Sequence, residues 1–202
     1  MKRKASVVAR GRPRAFKADQ ALKCAMRVFW EKGYEGTSLS DLTRAMGINR
    51  PSLYATFGNK EQLFRKVMTC YANGPALYRL EALKEPTARQ VAERLLYGTA
   101  DALGDPRCPK GCLIVQGALA CGDEAGPIRD ELTARRKSLQ VALRQRFNRA
   151  LRKGELPLKS NPADLARYVT TVCEGMAIQA SVGASRADLR RVAELALRMW
   201  PA

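Results

Sequence analysis

The sequence predicts an all-α protein, with a small three-helix head at the N-terminus and a larger helical body behind it. Three observations carry this. Apolar residues recur at spacings of three and four along most of the chain, as in Leu22, Ala25, Met26 and Phe29 or in Leu165, Val169, Val172, Cys173 and Met176. Helix-start and helix-stop residues bracket those runs, with Ser38, Asn49, Asn59 and Asn161 in front and Gly33, Gly47 and Gly154 behind. Charge divides the chain at the same place: residues 1–66 hold 15 of the 36 basic side chains and 5 of the 19 acidic ones. A front third this basic suits a phosphate-binding head on a less charged body.

Residues 1–15 carry Lys2, Arg3, Lys4, Arg10, Arg12 and Arg14 and no acid, while Gly11 and Pro13 oppose a helix. They read as a flexible basic arm, and Arg12 and Arg14 are candidate phosphate or minor-groove contacts. A first helix is expected from about Lys17 to Lys32, closed by Gly33. Two short helices joined by a tight turn follow. Ser38 with Asp41 three residues later forms a capping box, Leu39, Leu42 and Met46 make the apolar face, and Gly47 suits the left-handed residue that ends a helix. Asn49 caps the second of the pair, with Pro51 tolerated in its first turn and Leu53 and Phe57 inward. Arg50, Ser52, Ala55 and Thr56 are left outward. A pair of this length, with small and basic groups outward on its second member, is what a DNA-reading helix-turn-helix requires. The head is therefore placed at 16–62 and the body at 63–202.

In the body, Gly58-Asn59 precedes a helix expected from Lys60 to Tyr78, which Asn73-Gly-Pro75 bends or breaks. A helix from Pro86 to Leu103 comes next, then a loop over 104–109. The stretch from Lys110 to Gly122 has no charge between Cys112 and Cys121, so it reads as a helix buried on all sides in the centre of the body. A long helix from Gly126 to Lys153 has a core stripe of Leu132, Leu139, Leu143, Phe147 and Leu151 and a basic outer face. Two more helices run from Asn161 to Val182 and from Ser185 to Trp200.

The chain has 202 residues, 46% of them hydrophobic, so a sizeable core is available. No apolar run reaches the roughly 18 residues of a membrane span, and the N-terminus lacks the apolar stretch of a signal peptide, so a cytoplasmic protein with no membrane partner is expected. There is no histidine, which removes Ser-His-Asp and Cys-His catalysis and most catalytic zinc sites. No phosphate loop, dinucleotide fingerprint or carboxylate pair is visible, so no catalytic residue, cofactor or enzyme activity is expected. The six cysteines are scattered through helical patterns, unlike a secreted disulfide framework. Zinc on Cys108, Cys112 and Cys121 is disfavoured by the spacing and the lack of a fourth ligand.

The run Phe29…Gly33-Tyr34-Glu-Gly-Thr-Ser…Leu42…Ala45-Met-Gly-Ile…Ser52-Leu-Tyr-Ala-Thr-Phe57…Lys60-Glu-Gln-Leu63 resembles the DNA-binding domain of the TetR family of transcriptional regulators. The match covers about a quarter of the chain. The resemblance implies a sequence-specific regulator that binds a palindromic operator in double-stranded DNA as a homodimer. It also implies a repressor released when a small molecule or reactive electrophile, of unknown identity, binds the second domain. By resemblance, Ser38, Tyr54, Thr56 and Lys60 contact phosphates. Base reading falls to Arg50, Pro51 and Ser52 at the exposed start of the second helix, with Ser40 and Ala55 nearby. Arg50 is suited to guanine O6 and N7, and Pro51 offers only apolar contact. The last two helices resemble the family's dimerisation pair, and Leu165, Val169, Val172, Met176, Leu189, Val192 and Leu197 are the expected interface; the alternative is that they close the monomer core. The rival to a specific regulator is a nonspecific or architectural DNA-binding protein, with equal affinity for all duplexes and steep salt dependence.

Gly111-Cys112-Leu113 is similar to a segment of TetR-like regulators that respond to electrophiles or oxidants. Cys112 is placed in the first turn of the buried helix, where free amides and the dipole stabilise a thiolate and Arg107 and Lys110 add positive charge. It is the candidate sensor, with Cys108 as a resolving thiol. Packing as a small hydrophobe is the other reading.

Overall fold

The computed structural model describes residues 14–120 and 126–201, and the side chains of 18–117 and 126–201. Arg12 and Cys121, and the side chain of Arg14, lie outside the described residues. Ten helices are described: α1 Arg14–Lys32, α2 Leu39–Met46, α3 Arg50–Phe57, α4 Lys60–Ala72, α5 Tyr78–Ala82, α6 Ala88–Leu103, α7 Leu113–Ala120, α8 Gly126–Arg152, α9 Pro162–Ser181 and α10 Arg186–Arg198.

Caps explain many of these boundaries. Ser38, Asn59, Thr87 and Ser185 each form a reciprocal box with the side chain three residues on, and Asn49 and Asn161 accept from backbone amides of α3 and α9. Each box satisfies two of the amides that a helix start leaves without partners.

Three sequence boundaries move. The first helix starts at Arg14, so residues 14 and 15 leave the expected arm; a proline bars helix upstream of itself but not downstream. The helix expected from Lys60 to Tyr78 breaks where Asn73-Gly-Pro75 is expected to bend or break it: α4 stops at Ala72, Pro75 has no amide to continue the ladder, and a short α5 follows. The buried helix starts at Leu113 rather than Lys110. Gly111 has φ +80°, a conformation that ordinary side chains resist, so Cys112 is the residue in front of the helix instead of one within its first turn.

Two apolar clusters hold the fold. The first contains Phe29, Leu42 and Leu53 of the head with Leu63, Phe64 and Met68 of α4, and continues through Trp30 and Tyr71 to Cys112, Leu113, Ile114 and Ile128. Phe64 meets the Phe29 ring edge-on at 5.0 Å and the Tyr34 ring at 5.1 Å. The second joins α6, α8, α9 and α10 around Leu95, Leu96, Leu143, Phe147, Val169 and Met176. No described helix is long and apolar enough to cross a membrane.

Candidate nucleic-acid interface and a buried thiol

The outer surface of α3 carries the groups singled out for DNA. Leu53 and Phe57 are buried, which fixes the helix by its inner face. Arg50, Pro51, Ser52, Ala55 and Thr56 are exposed, and Tyr54 is 49% exposed. The start of α3 is rigid, because Asn49 Oδ1 accepts from the Ser52 amide at 2.9 Å. Arg50 Nη2 donates to Ser40 Oγ at 3.1 Å, so two of the five base-reading candidates already meet across the turn. This holds the guanidinium on the outer face at the end of α3 that enters a groove in helix-turn-helix proteins.

The phosphate candidates surround it. Ser38 heads α2; its Oγ accepts from the Asp41 amide at 3.0 Å and donates to Asp41 Oδ2 at 2.7 Å. Asp41 also accepts from Lys32 Nζ at 2.7 Å, and that bond with the two from Ser38 holds its carboxyl well below the usual range. Lys60 heads α4 and stacks its ammonium 4.5 Å from the centre of the Tyr34 ring. Partial burial lowers the Lys60 pKa, with Glu35 pulling it the other way. Lys66 escaped the sequence reading. Its Nζ donates to the Thr56 carbonyl at 3.1 Å and stands 5.5 Å from the Phe57 ring, so it neutralises the C-terminal end of α3.

A second constellation lies at the joint between head and body. Cys112 is 0% exposed. Its Sγ accepts from Tyr71 Oη at 3.3 Å and from Arg79 Nη2 at 3.3 Å. Burial pushes the thiol up, but Arg79, Tyr71 and the amides of Val115 and Ile114 outweigh it, so the net shift is below the ordinary thiol value. Tyr71 and Tyr78 go the other way, chiefly through burial, and stay neutral. The sequence reading missed Tyr71 and Arg79. The available signal was one arginine inside the apolar run Ala76-Leu-Tyr-Arg-Leu80, where a charge needs a partner.

The donors expected to activate Cys112 are corrected. Arg107 is bonded to Asp105 at 2.8 Å and is solvated, and Lys110 is exposed; Arg79 takes their place because it is half-buried and donates directly to the sulfur. Cys108 is half-buried, and its thiol is raised by burial and then by Asp105. That argues against a ready thiolate there. Among the described residues there is no group of three or more candidate metal ligands.

This joint is wired to the head. Trp30 Nε1 of α1 donates to the Gly111 carbonyl at 3.1 Å, and Arg27 Nη1 donates to the Arg107 carbonyl at 3.0 Å. The Trp30 and Tyr71 rings meet edge-on at 4.9 Å.

On α9 and α10 the expected interface is also corrected. Val169, Met176, Leu189 and Leu197 are buried inside one chain, and Leu165 and Val172 pack against the same core. Of the seven, Val192 is the one classed as exposed, at 39%. The apolar groups that do face outward are Tyr168 and Ile178 on α9 with Val182 just after it, and Val192 and Leu195 on α10 with Met199 just after it. Helical periodicity identifies an apolar face; it does not say whether a neighbour in the same chain already covers it.

Comparison with known proteins agrees with this geometry. The profile of "Bacterial regulatory proteins, tetR family" matches residues 21–67, and that of "Tetracyclin repressor-like, C-terminal domain" matches residues 78–196. The HTH-type transcriptional repressor ComR of Escherichia coli (strain K12) is 34% identical over 194 residues, covering 95% of this chain and 92% of its own length. A cysteine-substituted form of the TetR family regulator CifR, solved with 26-base-pair double-strand operator DNA, superposes with a TM-score of 0.87 at 42% identity, over 94% of this chain and all of that one. A second cysteine-substituted form on the same length of operator gives 0.88 at 42% identity. The chain belongs to the TetR family of bacterial regulatory proteins. It is a DNA-binding transcriptional regulator and not an enzyme.

Proposed function

We propose that this TetR-family regulator is a dimeric repressor that binds a palindromic operator and leaves it when an effector acts at Cys112. The observation that carries the DNA reading is the start of α3, where Arg50, Pro51 and Ser52 stand exposed on a capped, inwardly anchored helix. Arg50 reads a guanine in each half-site by two hydrogen bonds, Pro51 contacts an apolar base edge, and Ser52, Ser40 and Ala55 complete the reading set. Ser38, Tyr54, Thr56 and Lys60 fix the register on phosphates. The relatives that repress, and the neighbour held on operator DNA, support this assignment.

Two copies are required because one short helix reads too few bases for a useful site. The outward groups Tyr168, Ile178, Val182, Val192, Leu195 and Met199 supply an apolar face for the second copy.

The test is titration of the full chain onto duplex from its own upstream region and onto a scrambled duplex, at two salt concentrations. Preference for the upstream duplex with two chains per site is expected. Equal affinity for both, falling steeply with salt, would mean a nonspecific DNA-binding protein instead.

A further inference from the structure

Arg79 is half-buried, yet no carboxylate pairs with it among the described residues. It donates from Nε to Tyr78 Oη at 3.3 Å and from Nη2 to Cys112 Sγ at 3.3 Å. Both tyrosines beside it stay neutral, so the Cys112 sulfur, which accepts from Arg79 and Tyr71, is the group that can serve as its anionic partner. A guanidinium has five N–H donors, so donors remain. Arg79 also lines a cavity of about 330 Å³ whose other walls include Ala76, Leu80, Leu83, Ile114 and Leu139. Most of the walls are apolar, and besides Arg79 the polar ones are Ser138 and Arg135, the latter already paired with Glu131 at 2.9 Å; the cavity reaches solvent, and the thiol itself has no exposed surface. Arg79 therefore touches both the cavity, which it lines, and the Cys112 sulfur, to which it donates.

We propose that this cavity admits the effector and that Arg79 is its positioning residue: it pairs with Cys112 on one side and offers its remaining donors to the cavity on the other. The chemical class this fits is a small uncharged electrophile with an apolar body and a carbonyl conjugated to the reacting carbon. This rests on reading Cys112 as the sensing thiol. The apolar walls take the body of the molecule, and Arg79 takes the carbonyl oxygen. The sulfur forms a bond to the alkene carbon. The π pair moves to the oxygen, where the guanidinium stabilises the charge, and a proton from solvent then settles on the neighbouring carbon. In sum the S–H adds across the C=C bond, and nothing is oxidised or reduced.

The same pair turns the adduct into a signal. A thioether is neutral, so alkylation leaves Arg79 as a half-buried cation with no anionic partner, an unfavourable state. The guanidinium must move, and Tyr71, bonded to the same sulfur, moves with it. Tyr71 packs on Trp30, and Trp30 holds the Gly111 carbonyl, so the displacement reaches α1 and the head. Release follows loss of charge at Cys112 more than the bulk of the adduct.

The experiment treats the full chain with 2-cyclohexen-1-one, with cyclohexanone as the unreactive control, and reads intact mass, adduct rate and affinity for upstream duplex. One adduct on Cys112 is expected from the enone, with a loss of DNA affinity of about tenfold and no effect of cyclohexanone. Arg79→Met should slow adduct formation about tenfold and Arg79→Lys should recover part of the rate, because a cation is restored. Cys112→Ser should bind DNA more weakly than wild type with no compound present. Cys112→Asp should bind more tightly than Cys112→Ser, and adding Arg79→Met to Cys112→Ser should restore affinity by removing the stranded cation. Thermal unfolding of each variant separates these effects from loss of fold. Adducts on Cys70 or Cys108 instead, or an unchanged rate in Arg79→Met, overturn the site. Wild-type DNA affinity in Cys112→Ser overturns the charge mechanism. Specific DNA binding by untreated wild type decides the repressor reading separately, since no electrophile is involved in it.

Discussion

Helices α3 and α7 are each eight residues long, and their N-terminal ends face opposite tasks. The start of α3 is closed by Asn49 and looks into solvent, with Arg50, Pro51 and Ser52 displayed beyond it. The start of α7 is closed by Cys112 and looks into the protein, with Tyr71 and Arg79 folded over it. Both ends carry the partial positive charge of free amides. At α3 that charge and Arg50 are offered to a polyanion from outside. At α7 they are answered from inside, by the chain's own sulfur. What differs is what the neighbouring elements cover, since the local helix physics is shared.

The comparison can be broken most severely from the shared core. Phe29 is fully buried in the apolar cluster that α3 and α7 share, and meets Phe64 at 5.0 Å. Phe29→Ala should cost about 3–5 kcal/mol of stability in denaturant titration, because the cavity forms where the head cannot collapse. A loss below about 1 kcal/mol would mean that the head's core is looser than its packing suggests. The exposed end is sharpened by Arg50→Ala. A loss of about 1–3 kcal/mol of discrimination at one base pair is expected, read from affinities on a panel of operator variants. Equal losses on specific and scrambled duplex would reduce Arg50 to a phosphate contact.

Next comes the cap itself. Asn49→Ala removes the acceptor of the Ser52 amide and should cost about 1 kcal/mol of stability, with specific DNA affinity falling alongside because the reading residues lose their anchor. Lys60→Ala should act more weakly still. All duplexes should lose affinity alike, and the slope of log affinity on log salt should drop by about one. The smallest effect concerns acid. Asp41 is held below its ordinary carboxylate value by Lys32 and Ser38. Its contribution is therefore present above the unfolded value of about 3.9 and is lost as pH falls through the folded one. Asp41→Asn should flatten the acid limb of the head's unfolding curve and leave neutral-pH folding largely intact; an unchanged acid limb would remove the carboxylate from the account.

Much of the head was legible because its signals are local. Ser38 with Asp41, Gly47 and Asn49 dictate where two helices stop and start within a dozen residues, and the structure places the caps where those residues stand. Leu42, Leu53 and Phe57 point inward because helical spacing admits one buried face. The body was legible as helices but not as surfaces. Val169, Met176, Leu189 and Leu197 are as apolar as a dimer interface requires, yet α6 and α8 already cover them. Arg79 sits 33 residues from Cys112 in the chain, so no spacing rule connects them.

The sequence by itself determined an all-helical chain, the helix-turn-helix and its outward residues, and the family to which the chain belongs. The helices and their outward faces follow from short-range rules, namely caps, breakers and the 3.6-residue period, which act within a turn or two of the chain, and the family follows from the resemblance carried by the run from Phe29 to Leu63. Only the tertiary structure decided that Arg79 and Tyr71 converge on Cys112, that Trp30 ties this node to α1, and which side of α9 and α10 stays open. Those outcomes depend on which helix packs against which. Burial, and with it the charge state of a thiol or the availability of a face, is a property of the packed whole.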